Sequence, residues 1–181
     1  LPTSLRKNLR ITQQCRKEDL SRVVAIYEAA KQKSDIKIFF NDISERIKNS
    51  HLVISRSGAS TIAELSVIGR PAILIPYQFA IDNHQKINAD AMVKSGGAWS
   101  FDESNLEPET LANFLAEILT DHERLRSAAH ASHNFGIPES SEILANLISE
   151  ATKTNILALK SKFKQTNNTQ TLEGDHEKTP N

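Results

Sequence analysis

The sequence predicts an α/β protein, a parallel sheet with helices on both faces. Two observations carry this. Short runs that are apolar throughout alternate with single helical patterns, as buried parallel strands and their crossovers require. After Glu107 the pattern turns helical only, which supplies further helices to pack on the sheet.

The elements follow in order. "LRITQQC" is a short β-type run. "EDLSRVVAIYEAAKQ" places Leu20, Val23, Val24, Tyr27 and Ala30 on one helical face. "IKIFF" is β-type again, and Ile43 and Ile47 mark a short amphipathic turn after it. "HLVIS" is the third strand, "ASTIAELSVIG" a helix stopped by Gly69, and "PAILIPY" the fourth strand. "DNHQKINADAMVKS" is a helix ending at Gly96-Gly97, and "AWSF" is the fifth strand. "EPETLANFLAEILTD" opens with Pro108, where a missing N–H costs little. "HERLRSAAHASHNF" and "PESSEILANLISEATK" add two helices. "TNNTQTLEGDHEKTPN" lacks apolar anchors and is expected to be disordered.

The chain has 181 residues, room for one ordinary domain with a buried core. Its 22 basic and 22 acidic side chains cancel, so no global field points to nucleic acid or acidic lipid. Cys15 is the single cysteine, which rules out an internal disulfide and suits a reducing compartment. No apolar run reaches the ~18 residues that span a bilayer, and no signal peptide opens the chain. The opening "LPTSLRKN", without Met, reads as the interior of something longer, so a fragment is expected.

Chemistry concentrates at two strand-to-helix junctions. In open parallel sheets ligands sit beyond the carboxyl ends of the strands, against helix starts. At "SRSGASTIAEL", Gly58 permits close backbone approach, and the free amides of Ala59, Ser60 and Thr61 face outward at the positive end of a helix. That makes a diphosphate site needing no metal. Glu64, which repels phosphate, fits a ribose diol one turn on. The competing reading is structural: Thr61-Ile62-Ala63-Glu64 matches a capping box that serves only the helix itself. At the second junction Asp82, Asn83, His84 and Gln85 gather at a helix start. Asp82 can be a plain N-cap there. An amide beside an imidazole, at the same sheet edge, also suits the hydroxyls of a hexose.

"ITQQCRKEDLSRVVAIY", "FFNDI", "LVISRSGASTIAEL", "GRPAILIPY" and "DNHQKINADAMVKSGGA" together resemble the C-terminal, donor-binding half of the MurG family of peptidoglycan N-acetylglucosaminyltransferases. The resemblance runs from Leu1 to about Ile148. It implies a Rossmann-like parallel sheet, the C-terminal half of a two-domain glycosyltransferase of GT-B type. It implies transfer of N-acetylglucosamine from its UDP donor to lipid I, giving lipid II at the cytoplasmic face of the bacterial inner membrane. By position, Ser57, Gly58, Ala59, Ser60 and Thr61 would cradle the diphosphate and Glu64 the ribose. The main chain at Phe40 would read the uracil, and Gln85 with His84 the sugar. No cofactor and no metal are implied.

The departures are large. The acceptor domain with its proposed base is absent, as are the glycine-rich phosphate loop and first strand that open the donor domain in the family. No residue here is expected to act as catalytic base. Residues 1–150 are read as a donor-binding domain incomplete at its start, and 151–181 as a fraying helix and polar tail. Lipid I and the membrane surface are expected to be met through the missing domain, and nucleic acid not at all. Two other readings stay open: a non-catalytic UDP-sugar-binding module, or another GT-B enzyme such as a 2-epimerase.

Remaining features have plainer readings. His130 and His133 lie three apart on a helix, a spacing that can hold a metal, but nothing completes the set. Arg16-Lys17 is read as a solvated turn and Cys15 as a small buried side chain. Trp99 and Phe101 are expected to pack beside the last strand. "NILALKSKFK" is a basic amphipathic stretch that can lie on an anionic membrane.

Overall fold

The computed structural model describes residues 1–153. The chain divides into two compact units, Leu1–Ile137 and one beginning at Pro138. In the first unit α1 (Thr3–Arg6) precedes β1 (Ile11–Gln14), α2 (Leu20–Ala29), β2 (Ser34–Lys37) and α3 (Ile43–Lys48). There follow β3 (Val53–Ser55), α4 (Ala59–Ile68), β4 (Ala72–Leu74), α5 (His84–Lys94), β5 (Ala98–Ser100), α6 (Pro108–Ile118) and α7 (His122–Phe135). The second unit is helical over 140–153, with Ile143, Leu144, Leu147 and Ile148 at helical spacing. The basic stretch from Asn155 and the polar tail lie outside the described residues.

Every strand pairing is parallel, as the alternating pattern requires. The strands nevertheless form two sheets, β1-β2 and β3-β4-β5. β2 is displaced toward the N-terminus from the "IKIFF" run. The ladder uses Ser34–Lys37, while Phe40 leaves it to become buried. Its ring lies 4.1 Å under the Arg46 guanidinium, which also bonds Asp35 (2.7 Å) and Asp42 (2.8 Å). Phe40 is apolar because it packs under a cation, and that demand looks the same in sequence as strand pairing.

The core lies on one face of the larger sheet. Ala72, Leu74 and Ala98 meet Ile62 and Leu65 of α4 and Ala89 and Met92 of α5, with Val53 packed alongside. On the opposite face Trp99 and Phe101 make edge-on contacts with Phe114 of α6, at 5.6 and 5.2 Å. Gly69 ends α4 at φ +74°, a left-handed conformation open to glycine, and the Arg70 amide returns to the Leu65 carbonyl. The α7 helix then docks closely: a Cβ at Gly97 would stand 2.8 Å from Ser132 Cα. Buried Ser132 donates from Oγ to the Arg70 carbonyl at 2.9 Å.

Candidate functional site: two helix starts at one sheet edge

β3 and β4 run parallel and end side by side, so the starts of α4 and α5 lie at the same edge of the sheet. The α4 start is not capped in the way its sequence allows. Gly58 occupies the N-cap position (φ −62°, ψ 150°), and no side chain bonds the first amides. The first helical bond runs from Ile62 N–H to the Gly58 carbonyl, 3.0 Å. Thr61 is thus the third helical residue rather than the cap, and the capping box does not form. Glu64 turns away from its own helix: its Oε1 accepts a hydrogen bond from Ser44 Oγ of α3.

Gly58 is informative for what it does not need. Its φ and ψ suit any residue, and an added Cβ would meet only Thr61 Oγ1, at an ordinary 3.8 Å. Inside the chain glycine gains only its modest N-cap preference over alanine, whereas a ligand drawn against the opening amides would demand it. Ser60, Thr61 and Glu64 share one helix face by their spacing. Glu64 lies about 7.5 Å along the axis from Ala59 at 1.5 Å per residue, which keeps the carboxylate clear of the opening amides.

Ser57 is placed differently from its neighbours. It is fully buried, and its Oγ donates to the Gln85 carbonyl at 2.7 Å. Its own carbonyl accepts from Asn88 Nδ2 at 3.1 Å. These bonds fasten the start of α5 to the approach to α4. Gln85 Oε1 accepts from the Tyr77 amide at 3.0 Å, which fixes the side-chain orientation and leaves the NH2 end as a donor. Asp82 is not the N-cap of α5; Asn83 is, and both sit at positive φ (50° and 56°). His84, beside Gln85, is exposed.

Arg56 does not serve as a free cation at the phosphate cradle. Its guanidinium forms a two-pronged pair with Glu103 (2.6 and 2.8 Å) and also donates to the Ile75 and Pro76 carbonyls (3.2 and 3.3 Å). The hydrogen bond from Arg56 holds the Glu103 carboxyl below its ordinary range, and the same bond raises the arginine further. This clamp fixes the turn leaving β4, whose Tyr77 amide positions Gln85. An anion at the α4 start would meet backbone amides and the helix dipole rather than the Arg56 cation.

Phe40 completes the edge. Its ring is buried, and its N–H and C=O take no part in backbone hydrogen bonding among the described residues. Asp42, two residues on, is held low chiefly by its hydrogen bond from Arg46. The strip containing Phe40 leads into α3, whose Ser44 reaches Glu64. The structure therefore brings the starts of α4 and α5 together through the Ser57–Gln85 bond and ties Glu64 to α3 through Ser44, while Phe40 lies in the segment that leads into α3. Sequence reading overlooked Ser44, Asn88 and Glu103, and it left Arg56 without a role. Asn88, one turn beyond Gln85, carried a local signal, whereas Glu103 is 47 positions from Arg56 and carried none.

Other features lie apart from this region. A hollow of about 510 Å³ between α2 and β2, lined by Val24, Glu28, Gln32 and Asp35, sits toward the amino end of β2. Among the described residues no three His, Cys, Asp or Glu side chains gather as a metal set, and His133 packs against Gly69. No helix among them is long and apolar enough to cross a membrane.

Comparison with known proteins agrees with this geometry. The model of the "Glycosyltransferase family 28 C-terminal domain" matches residues 2–146. The UDP-N-acetylglucosamine--N-acetylmuramyl-(pentapeptide) pyrophosphoryl-undecaprenol N-acetylglucosamine transferase of Rhodospirillum rubrum is 45% identical over 144 residues, 80% of this chain and 37% of that protein. The same-named protein of Allorhizobium ampelinum is 47% identical over 144 residues, 80% of this chain and 39% of its own length. A crystal structure of Acinetobacter baumannii MurG superposes with a TM-score of 0.71 at 28% identity, covering 78% of this chain and 43% of that one. The glycotransferase of kitacinnamycin, at 14% identity and a TM-score of 0.52, shares the fold over 81% of this chain and 44% of its own. The chain spans less than half the length of these relatives. It is a parallel α/β protein of the Rossmann-like, GT-B type, and it belongs to the glycosyltransferase family 28 C-terminal domain family.

Proposed function

We propose that this chain is the donor-binding half of an inverting N-acetylglucosaminyltransferase. Its reaction transfers N-acetylglucosamine from UDP-N-acetylglucosamine to lipid I, forming lipid II in peptidoglycan synthesis. The observation that carries the reading is the conduct of Glu64. It leaves its own helix start uncapped and joins Ser44 beside the Phe40 strip, with open amides a turn behind it.

The parts divide as follows. The main chain at Phe40 reads the uracil edge, and Glu64 accepts from the ribose hydroxyls. The amides from Gly58 to Thr61 take the diphosphate, and Gln85 donates to the hexose beside His84. Ser57 acts from below by fixing α5. Departing UDP gathers negative charge on its diphosphate, and preorganised amides at a helix start stabilise that charge without reorganising. The base that takes the acceptor hydroxyl proton comes from the acceptor half, as do the contacts with lipid I and with the cytoplasmic face of the membrane. Alone, the chain binds the donor weakly and turns nothing over.

Calorimetric titration with UDP and UDP-N-acetylglucosamine, with and without an acceptor-half polypeptide from a relative, tests the reading. Glu64→Gln keeps an acceptor for Ser44 but removes the charge from the ribose contact. That change lowers UDP affinity about tenfold, the difference between charged and neutral hydrogen bonds of roughly 1.4 kcal/mol. The melting temperature stays nearly constant. A fall in melting temperature with UDP affinity untouched returns Glu64 to a purely structural role.

A further inference from the structure

Two aromatic side chains stand on the loop that leaves β4 for α5. Tyr77 is 44% exposed and Phe79 72%, and their rings meet edge-on with centroids 5.6 Å apart. Other rings around the larger sheet are spent on packing: Trp99 and Phe101 on Phe114, and Phe135 against the core. A lone exposed phenylalanine is ordinary on a protein surface. Phe79 differs because the backbone on either side holds it out.

The Ala80 N–H donates to the Tyr77 carbonyl at 3.1 Å, and the Asn83 N–H donates to the Ala80 carbonyl at 3.0 Å, so two turns follow one another. Asp82 and Asn83 stand at φ +50° and +56°, left-handed residues in succession without a glycine. Such strain persists where the surroundings impose it, and it gathers at binding sites. The Arg56 guanidinium lies 5.5 Å from the Tyr77 ring and is itself clamped by Glu103 and the Ile75 and Pro76 carbonyls. Tyr77 therefore has a fixed cation and Phe79 as its ring neighbours.

The same loop holds Gln85. Gln85 Oε1 accepts from the Tyr77 amide at 3.0 Å, so its NH2 group is kept next to the residue whose ring meets Phe79. An oriented polar donor and an exposed aromatic ring thus share one short loop at the carboxyl edge of β4. A pyranose carries the matching pair of surfaces: hydroxyls around its rim and an apolar face of C–H groups. Ligand sites commonly set a few aimed polar groups beside aromatic surface in this way.

We propose that Phe79 is a specificity-determining residue for the donor sugar. Its ring takes the apolar C–H face of the hexose whose hydroxyl Gln85 binds, and Tyr77 braces it. The inference rests on the reading of Gln85 as the hexose contact and adds to it a contact with carbon rather than oxygen. Phe79 takes no part in holding the uridine or the diphosphate, so its loss is felt by the sugar alone.

The test is calorimetric titration of the full chain, with an acceptor-half polypeptide from a relative, using UDP and UDP-N-acetylglucosamine. Phe79→Ala leaves the melting temperature and UDP affinity unchanged and lowers UDP-N-acetylglucosamine affinity about threefold to tenfold, the range of one aromatic contact. Phe79→Tyr keeps the ring and the wild-type affinity for both. In saturation-transfer NMR with aromatic protons irradiated, the hexose C–H protons receive saturation from wild type and lose it in Phe79→Ala. Equal loss for UDP and UDP-N-acetylglucosamine overturns the proposal, as does weaker association of the Phe79→Ala chain with the acceptor half in the absence of nucleotide. UDP binding with the sugar's added affinity intact in Phe79→Ala overturns it while leaving the nucleotide reading standing. Failure of the wild-type chain to bind UDP overturns that reading, and this inference with it.

Discussion

Gly58→Ala separates what the fold needs from what a ligand needs. The backbone at Gly58 (φ −62°, ψ 150°) accepts alanine without strain, and the new methyl meets Thr61 Oγ1 at 3.8 Å, ordinary contact. Alanine is a poorer N-cap than glycine, by up to about 1 kcal/mol. The stiffer unfolded chain returns roughly 0.4–1 kcal/mol. The two nearly cancel, so the melting temperature moves by no more than about 3 °C. The ligand side differs. A methyl between the amides and a diphosphate pushes the anion outward and breaks about two charge-assisted hydrogen bonds of ~1.5–3 kcal/mol each. UDP affinity then falls at least a hundredfold. Calorimetric titration and thermal denaturation on the same preparations read both effects, with the acceptor half present so that wild-type binding is measurable. Gly97→Ala is the opposite control. Its methyl would sit 2.8 Å from Ser132 Cα and 2.9 Å from Ser132 N, so it loosens α7 and lowers stability. Unchanged UDP affinity in Gly58→Ala would refute the cradle. A large loss of stability would show that the glycine serves the helix.

Other substitutions probe the surrounding parts. Gln85→Glu still accepts the Tyr77 amide but no longer donates to a sugar hydroxyl, so affinity for UDP-N-acetylglucosamine drops toward that for UDP while UDP binding holds. Because Arg56 lowers the Glu103 carboxyl in the folded state, the pair stabilises the fold above the ordinary carboxylate range. That contribution disappears as pH falls through the lowered value. Urea midpoints of wild type and Glu103→Gln therefore differ at pH 7 and converge only as pH falls below the ordinary carboxylate range. Leu65→Ala empties a site that is 0% exposed beneath α7 and costs about 2–5 kcal/mol in chemical denaturation.

What the sequence made legible was local. The apolar runs at 53–55, 72–74 and 98–100 and the helices between them follow from periodicity alone, as does the stop at Gly69. β2 was misplaced because Phe40 is apolar for packing against Arg46, a demand that mimics strand pairing. The capping-box pattern at Thr61 is genuine as a pattern, but the helix begins two residues earlier, and a helix start is set by where the strand releases the chain. The split between sheets left no mark in the sequence, because each strand has the composition it would need in a single sheet. The Arg56–Glu103 clamp was equally silent, since a pair so distant in sequence has no spacing signature.

The polar groups at this edge fall into two sets, and the division bears on how the half-molecule binds. Ser57, Asn88, Arg56 and Glu103 are committed to one another or to main chain, and they lie on α5 or on the turns leaving the larger sheet. They make the proposed phosphate and hexose positions rigid. The strip at Phe40, proposed to read the uracil, belongs to the stretch between the two sheets. α3 is held to that rigid part by Ile47 in the shared core, by Ser44 on Glu64 and by Arg70 on the Lys48 carbonyl. The residues before it make no side-chain hydrogen bond to the larger sheet among the described residues. A nucleotide bound as proposed would bridge both regions at once. If the strip holds its bound position only one-tenth of the time, apparent affinity falls tenfold with every direct contact intact. A change that fixed the strip in its bound position would remove that loss. The gain would appear in UDP, which touches both regions, and not in a diphosphate alone, which touches only the rigid one.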